Sequence, residues 1–150
     1  MLGKIHPIAG VIGFLTILTF WTSTAISELF ASYETVAAVK QMVLYGMFIL
    51  LPSMAIVGAS GMKMGSRRKD APARAKKKRM PIIAANGLLI LLPLAFFLES
   101  KASAGSFDTT FYTLQVVELV AGATNLTLMA LSIRDGRAMG QRRRSMHAKT

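Results

Sequence analysis

Four apolar blocks with almost no charge dominate this sequence, at positions 7–27, 41–61, 81–98 and 111–133. A bilayer core about 30 Å thick takes about 20 helical residues to cross. Backbone groups in lipid must satisfy one another, so such blocks become helices. The spacing therefore predicts an all-α integral membrane protein. Its architecture is an up-down bundle of four transmembrane helices, formed by two helical hairpins in a single domain spanning 1–150. With 53% hydrophobic residues and a mean hydropathy of +0.47, the chain carries more apolar side chain than a soluble core of this size holds.

The formal charge of +11 would suit a nucleic-acid binder, but the basic residues flank the apolar blocks and form no stripe along a soluble surface. Nine lie in the connection 62–80: Lys63, Arg67, Arg68, Lys69, Arg74, Lys76, Lys77, Lys78 and Arg79. Six lie in the tail 134–150, and Lys4 precedes the first block. Only Lys40 and Lys101 fall at the opposite ends of the blocks. Positive charge stays on the cytoplasmic side, so both termini and the basic connection are expected there, in a bacterial-type inner membrane. The expected partners are the bilayer, anionic headgroups at the basic connection, and other membrane subunits or a second copy; nucleic acid is not expected. The first block is too long for the core of a cleaved signal peptide and is read as a span.

Shifting the chain by 74 residues superposes Pro7 on Pro81, Gly13 on Gly87 and Gln41 on Gln115. That pattern reads either as a parallel repeat of the two hairpins or as chance matching between apolar segments, and both readings give two hairpins of similar geometry. Ile-Leu-Leu-Pro occurs twice, ending at Pro52 and Pro93, and predicts a bend in spans two and three. In span four, Gln115, Glu118, Gly122, Asn125, Met129 and Ser132 recur at steps of three or four and share one helix face. Lipid cannot satisfy such a stripe, so it should face the bundle interior. Asn86 on span three lies at similar depth to Asn125, and a hydrogen bond between them is expected. Gly10, Gly13 and Thr16 on span one supply close-packing surfaces. Trp21, Tyr33, Tyr45, Phe107, Phe111 and Tyr112 read as interfacial anchors.

Glu118 stands out as an ionisable group inside a span, with Lys40 its expected partner. It is either a proton relay group or a bridge that fixes helix register. His6 and Met80, each preceding a proline, are candidate axial ligands for haem b. The absence of cysteine excludes disulfides, thiolate metal sites and cysteine nucleophiles. Two histidines, His6 and His147, make a zinc site within one chain unexpected. No Walker loop, nucleophile elbow or His-Glu-x-x-His motif is present, and no catalytic residue is expected. The function this supports is a non-catalytic subunit, anchor or assembly partner of a membrane complex. The alternatives are a haem-binding electron carrier using His6 and Met80, and a proton-coupled transport component using Glu118.

Overall fold

The computed structural model describes residues 2–65 and 71–147. The helices are α1 (Leu2–Phe30), α2 (Tyr33–Gly65), α3 (Ala71–Ala85), a π-helical turn (Asn86–Leu91), α4 (Leu92–Ser103) and α5 (Thr109–His147). Four stretches are long and apolar enough to cross a membrane: Lys4–Phe30, Tyr33–Lys63, Ala73–Ser103 and Thr109–Gln141. Each is longer than the apolar block that announces it, because helices continue into polar sequence once their first turns are anchored. The connection expected over 62–80 is helical at both described ends, and the tail is helical through residue 147. Arg67, Arg68, Lys69 and Lys149 lie outside the described residues.

Short, well-capped turns join α1 to α2 and α4 to α5. Only Ala31 and Ser32 separate α1 from α2, and the Ser32 hydroxyl accepts the Thr35 N–H, as an N-cap serine does. Helix α4 ends in a Schellman arrangement: Gly105 adopts φ 68°, its N–H bonds Ala102, and the Ser106 N–H bonds Lys101. Asp108 then caps α5 by accepting the Phe111 N–H at 2.8 Å and pairs with Lys101 at 2.7 Å. The Lys101 hydrogen bond first, and the Phe111 N–H second, hold the Asp108 carboxyl below the usual carboxylate range. The stabilisation this gives is complete above the unfolded-state value near pH 4 and is lost as pH falls through the lower folded-state value. Asp108→Asn is expected to flatten the loss of melting temperature on acidification from about pH 5 to about pH 2, measured by thermal scans in detergent.

Proline acts differently in spans two and three. Helix α2 stays α-helical through Pro52. Ahead of Pro93 the chain widens into the π turn, where the Leu92 N–H reaches back five residues to the Gly87 carbonyl. Pro93 has no N–H to offer the Leu89 carbonyl, and the wider register redistributes the ladder across that gap. Span three is thus one continuous helix with a widened middle.

The helices pack in a ring. Helix α1 lies against α2 and α5, and span three lies against those same two. Neighbours run antiparallel: His6 meets Ser60 and Gly46 meets Phe20 between α1 and α2, while Trp21 meets Leu119 and Gly13 meets Met129 between α1 and α5. Inside, Ile17, Ile83 and Met129 form a central cluster, and Val36, Leu98, Ala102 and Phe111 form a second near the α4–α5 turn. Large apolar side chains such as Phe48, Leu89 and Val120 point outward. An apolar exterior of this extent is suited to lipid and not to water. The 74-residue superposition matches environments in its first half, with Ala9 and Ile83 both buried and Ile8 and Ile82 both exposed. In its second half exposed Gln41 falls on buried Gln115, and buried Val43 on exposed Val117.

Candidate functional site

The polar stripe of α5 is the buried face of that helix. Gln115, Gly122, Asn125, Met129 and Ser132 are buried and Glu118 is nearly so. At mid-bundle the Asn86 Nδ2 donates to Asn125 Oδ1 at 2.9 Å and to the Ala121 carbonyl at 2.9 Å. Asn125 Nδ2 in turn reaches the Ile83 carbonyl. Removing this junction with Asn125→Ala is expected to lower stability by about 1 kcal/mol, the usual size of an interhelical hydrogen bond in a membrane protein, read by thermal unfolding of purified protein.

Nearer the α1–α2 turn, Lys40 is only 2% exposed and its Nζ donates to Glu118 Oε2 at 2.6 Å. The Gln115 Nε2 donates to the same oxygen at 2.9 Å. Because α2 and α5 sit on a diagonal of the ring, this pair bridges the bundle interior. Lys40 is therefore an interior charge and no part of a loop. Glu28, on the last turn of α1, lies within electrostatic reach of both Lys40 and Glu118. Its Oε1 and the Gln115 Oε1 are buried without a hydrogen-bond partner among the described residues. Glu28 falls one residue beyond the apolar block that ends at 27, so block boundaries alone leave it out of the site. Its signal is the step pattern Ile17, Trp21, Thr24, Glu28, which places it on α1's inward face.

Two aromatic residues expected at the interface serve the interior. Phe111 is fully buried, packed edge-on against Phe107 and Tyr112. The Trp21 N–H donates to the Leu119 carbonyl at 2.8 Å, and its ring lies over Gly122, where a Cβ would come within 2.9 Å. Trp21, Glu118 and Asn125 line a cavity of about 290 Å³ between the four helices, whose remaining walls are almost wholly apolar.

At the opposite end, His6 and Met80 do converge: a Cβ on Gly61 would lie 3.1 Å from Met80 Cε and 3.3 Å from His6 Cε1. Both imidazole nitrogens are engaged, Nδ1 with Ser60 Oγ at 2.8 Å and Nε2 with Lys76 Nζ at 2.9 Å. Ser60 spends its own proton on the Ile56 carbonyl. The donors balance when Nδ1 carries the ring proton and Nε2 accepts from Lys76. An axial haem ligand needs a free ring nitrogen, and in this structure both nitrogens of His6 are engaged in hydrogen bonds. Arg79 and Asp135 bridge α3 to α5 beside them at 2.6 Å. Among the described residues no cluster of three or more His, Asp or Glu could hold a metal ion. The side chain of His147 lies outside the described residues.

Comparison with known protein families, curated proteins and solved structures finds no match.

Proposed function

We propose that this chain is a non-catalytic component of a bacterial-type inner membrane, acting as subunit, anchor or assembly partner of a larger membrane complex. The observation that carries this reading is the way interior polar groups are used. Asn86 with Asn125, Lys40 with Glu118 and Gln115, and His6 with Ser60 and Lys76 each tie one helix to another. Groups spent in this way fix helix register and depth. The outward apolar belt is the surface offered to lipid, to another subunit or to a second copy. Exposed Arg74 and Lys78 on α3 sit where anionic headgroups would gather.

On this reading both termini lie in the cytoplasm. Of the two basic residues that fall on the far side, Lys40 is buried and paired, so it carries no weight as a loop charge. The absence of cysteine makes the test clean. Ala104→Cys should react with a membrane-impermeant maleimide on intact cells, and Ser145→Cys only after permeabilisation. The reverse pattern refutes the orientation. The assembly role is tested by extracting the tagged chain in a mild detergent. A stoichiometric complex is expected on native gels, and a lone monomer at every protein level argues against it.

A further inference from the structure

The cavity between the four helices has an apolar body and one polar end. Val43, Met47, Met54, Leu88 and Leu91 contribute to the body and offer no hydrogen bonds of consequence. At about 290 Å³ it is roughly twice the size of an engineered 150 Å³ cavity that accepts benzene. Its width has a structural cause: the π turn, which supplies Gly87, Leu88 and Leu91 to one wall, makes no close backbone approach to α2.

Two observations mark the polar end. Thr16, Thr19, Thr22, Ser23 and Ser27 of α1 each donate to a carbonyl three or four residues earlier. Thr24, 4% exposed and lining the cavity, is the one hydroxyl of α1 with no hydrogen-bond partner among the described residues. Across from it, Glu118 also lines the cavity. Its Oε2 is taken by Lys40 and Gln115, while its Oε1 accepts no hydrogen bond from a described residue. The antiparallel register that sets Trp21 against Leu119 brings Thr24 toward Glu118. An unused carboxylate oxygen and an unused hydroxyl at one end of the same cavity suit a ligand hydroxyl. A hydroxyl donates to the first and accepts from the second. An ammonium head would be repelled by Lys40, the cation that Glu118 and Glu28 already share.

We infer that this cavity binds a lipophilic alcohol or phenol of about two rings. Its hydroxyl sits between Thr24 and Glu118 and its hydrocarbon body lies among the methionines and leucines. This inference stands independently of the assembly role.

Trp21 is the chain's one tryptophan and lines the cavity, so it reports binding directly. The full chain in phosphatidylcholine nanodiscs is titrated with bromohydroxybiphenyl, whose bromine quenches indole fluorescence. Saturable quenching is expected, with weaker binding of bromobiphenyl, which lacks the hydroxyl. Gly58 lines the cavity with nothing within 4 Å of its Cβ position, so Gly58→Phe should fill the space and abolish saturable quenching. Thr24→Val breaks no bond present in the fold and should weaken the phenol by about five- to tenfold while leaving bromobiphenyl unchanged. Equal affinity for the two probes, as for a crevice filled by any acyl chain, would overturn the inference. So would tighter binding of the aminomethyl analogue, or an unaltered phenol affinity in Thr24→Val.

Discussion

Lys40→Met is expected to cost about 3 kcal/mol, more than any other single change to the bundle's interior polar groups. Breaking a buried ion pair leaves the surviving charge without compensation, and losses of about 3–5 kcal/mol are typical. Here the surviving charges are two. Glu118 loses the ammonium at 2.6 Å, and Glu28 loses the cation within its electrostatic reach. The reverse change is milder. Glu118→Gln leaves Lys40 with the substituted amide's carbonyl as an acceptor and Glu28 as a counter-charge, so a loss of about 1–2 kcal/mol is expected, near the value of a charge-assisted hydrogen bond. The double variant Lys40→Met/Glu118→Gln should be more stable than Lys40→Met alone, because one uncompensated carboxylate has gone. Thermal unfolding of the four proteins in one detergent checks the order. Equal losses in the two single variants would show that Glu28 plays no part.

The second large effect is steric. A Cβ on Gly46 would stand 2.3 Å from Phe20 Cζ and 2.4 Å from Cε1, so any side chain there must displace the ring. Overpacking of this kind costs about 1–3 kcal/mol, and Gly46→Val is expected at the upper end because a branched Cβ cannot turn away. Phe20 also lines the cavity, so the displaced ring moves into that space and reduces it. Gly58→Ala is the matched control. It adds a methyl to the same helix where nothing lies within 4 Å, and its stability should be unchanged or slightly raised, as alanine favours helix over glycine.

Much of the bundle is legible from spacing alone. The α5 stripe follows from the 3.6-residue period, and Asn86 opposite Asn125 follows from depth along antiparallel helices at about 1.5 Å per residue. Lys40 with Glu118 follows from the need of any charge in lipid for a partner. What spacing does not give is set by packing between elements. Nothing local distinguishes Pro52 from Pro93, since both end the same tetrapeptide, yet only Pro93 is preceded by a π turn. The neighbours on which the freed carbonyl depends come from other helices. Glu28 and Trp21 look like boundary residues in one dimension and become interior ones because only two residues separate α1 from α2. His6 and Met80 both approach the Cβ position of Gly61. Ser60 and Lys76, which occupy both ring nitrogens, come from elements whose register the sequence does not reveal.

On the proposed reading, interior polarity in this chain is structural, and Glu118 is a bridge and not a relay. Purified protein in liposomes loaded with a pH-sensitive dye, under an imposed proton gradient, tests this directly. Proton entry equal to that of empty liposomes is expected for both the native chain and Glu118→Gln. Proton flux that is present in the native chain and lost in Glu118→Gln, at equal protein content and unchanged helicity, would contradict it.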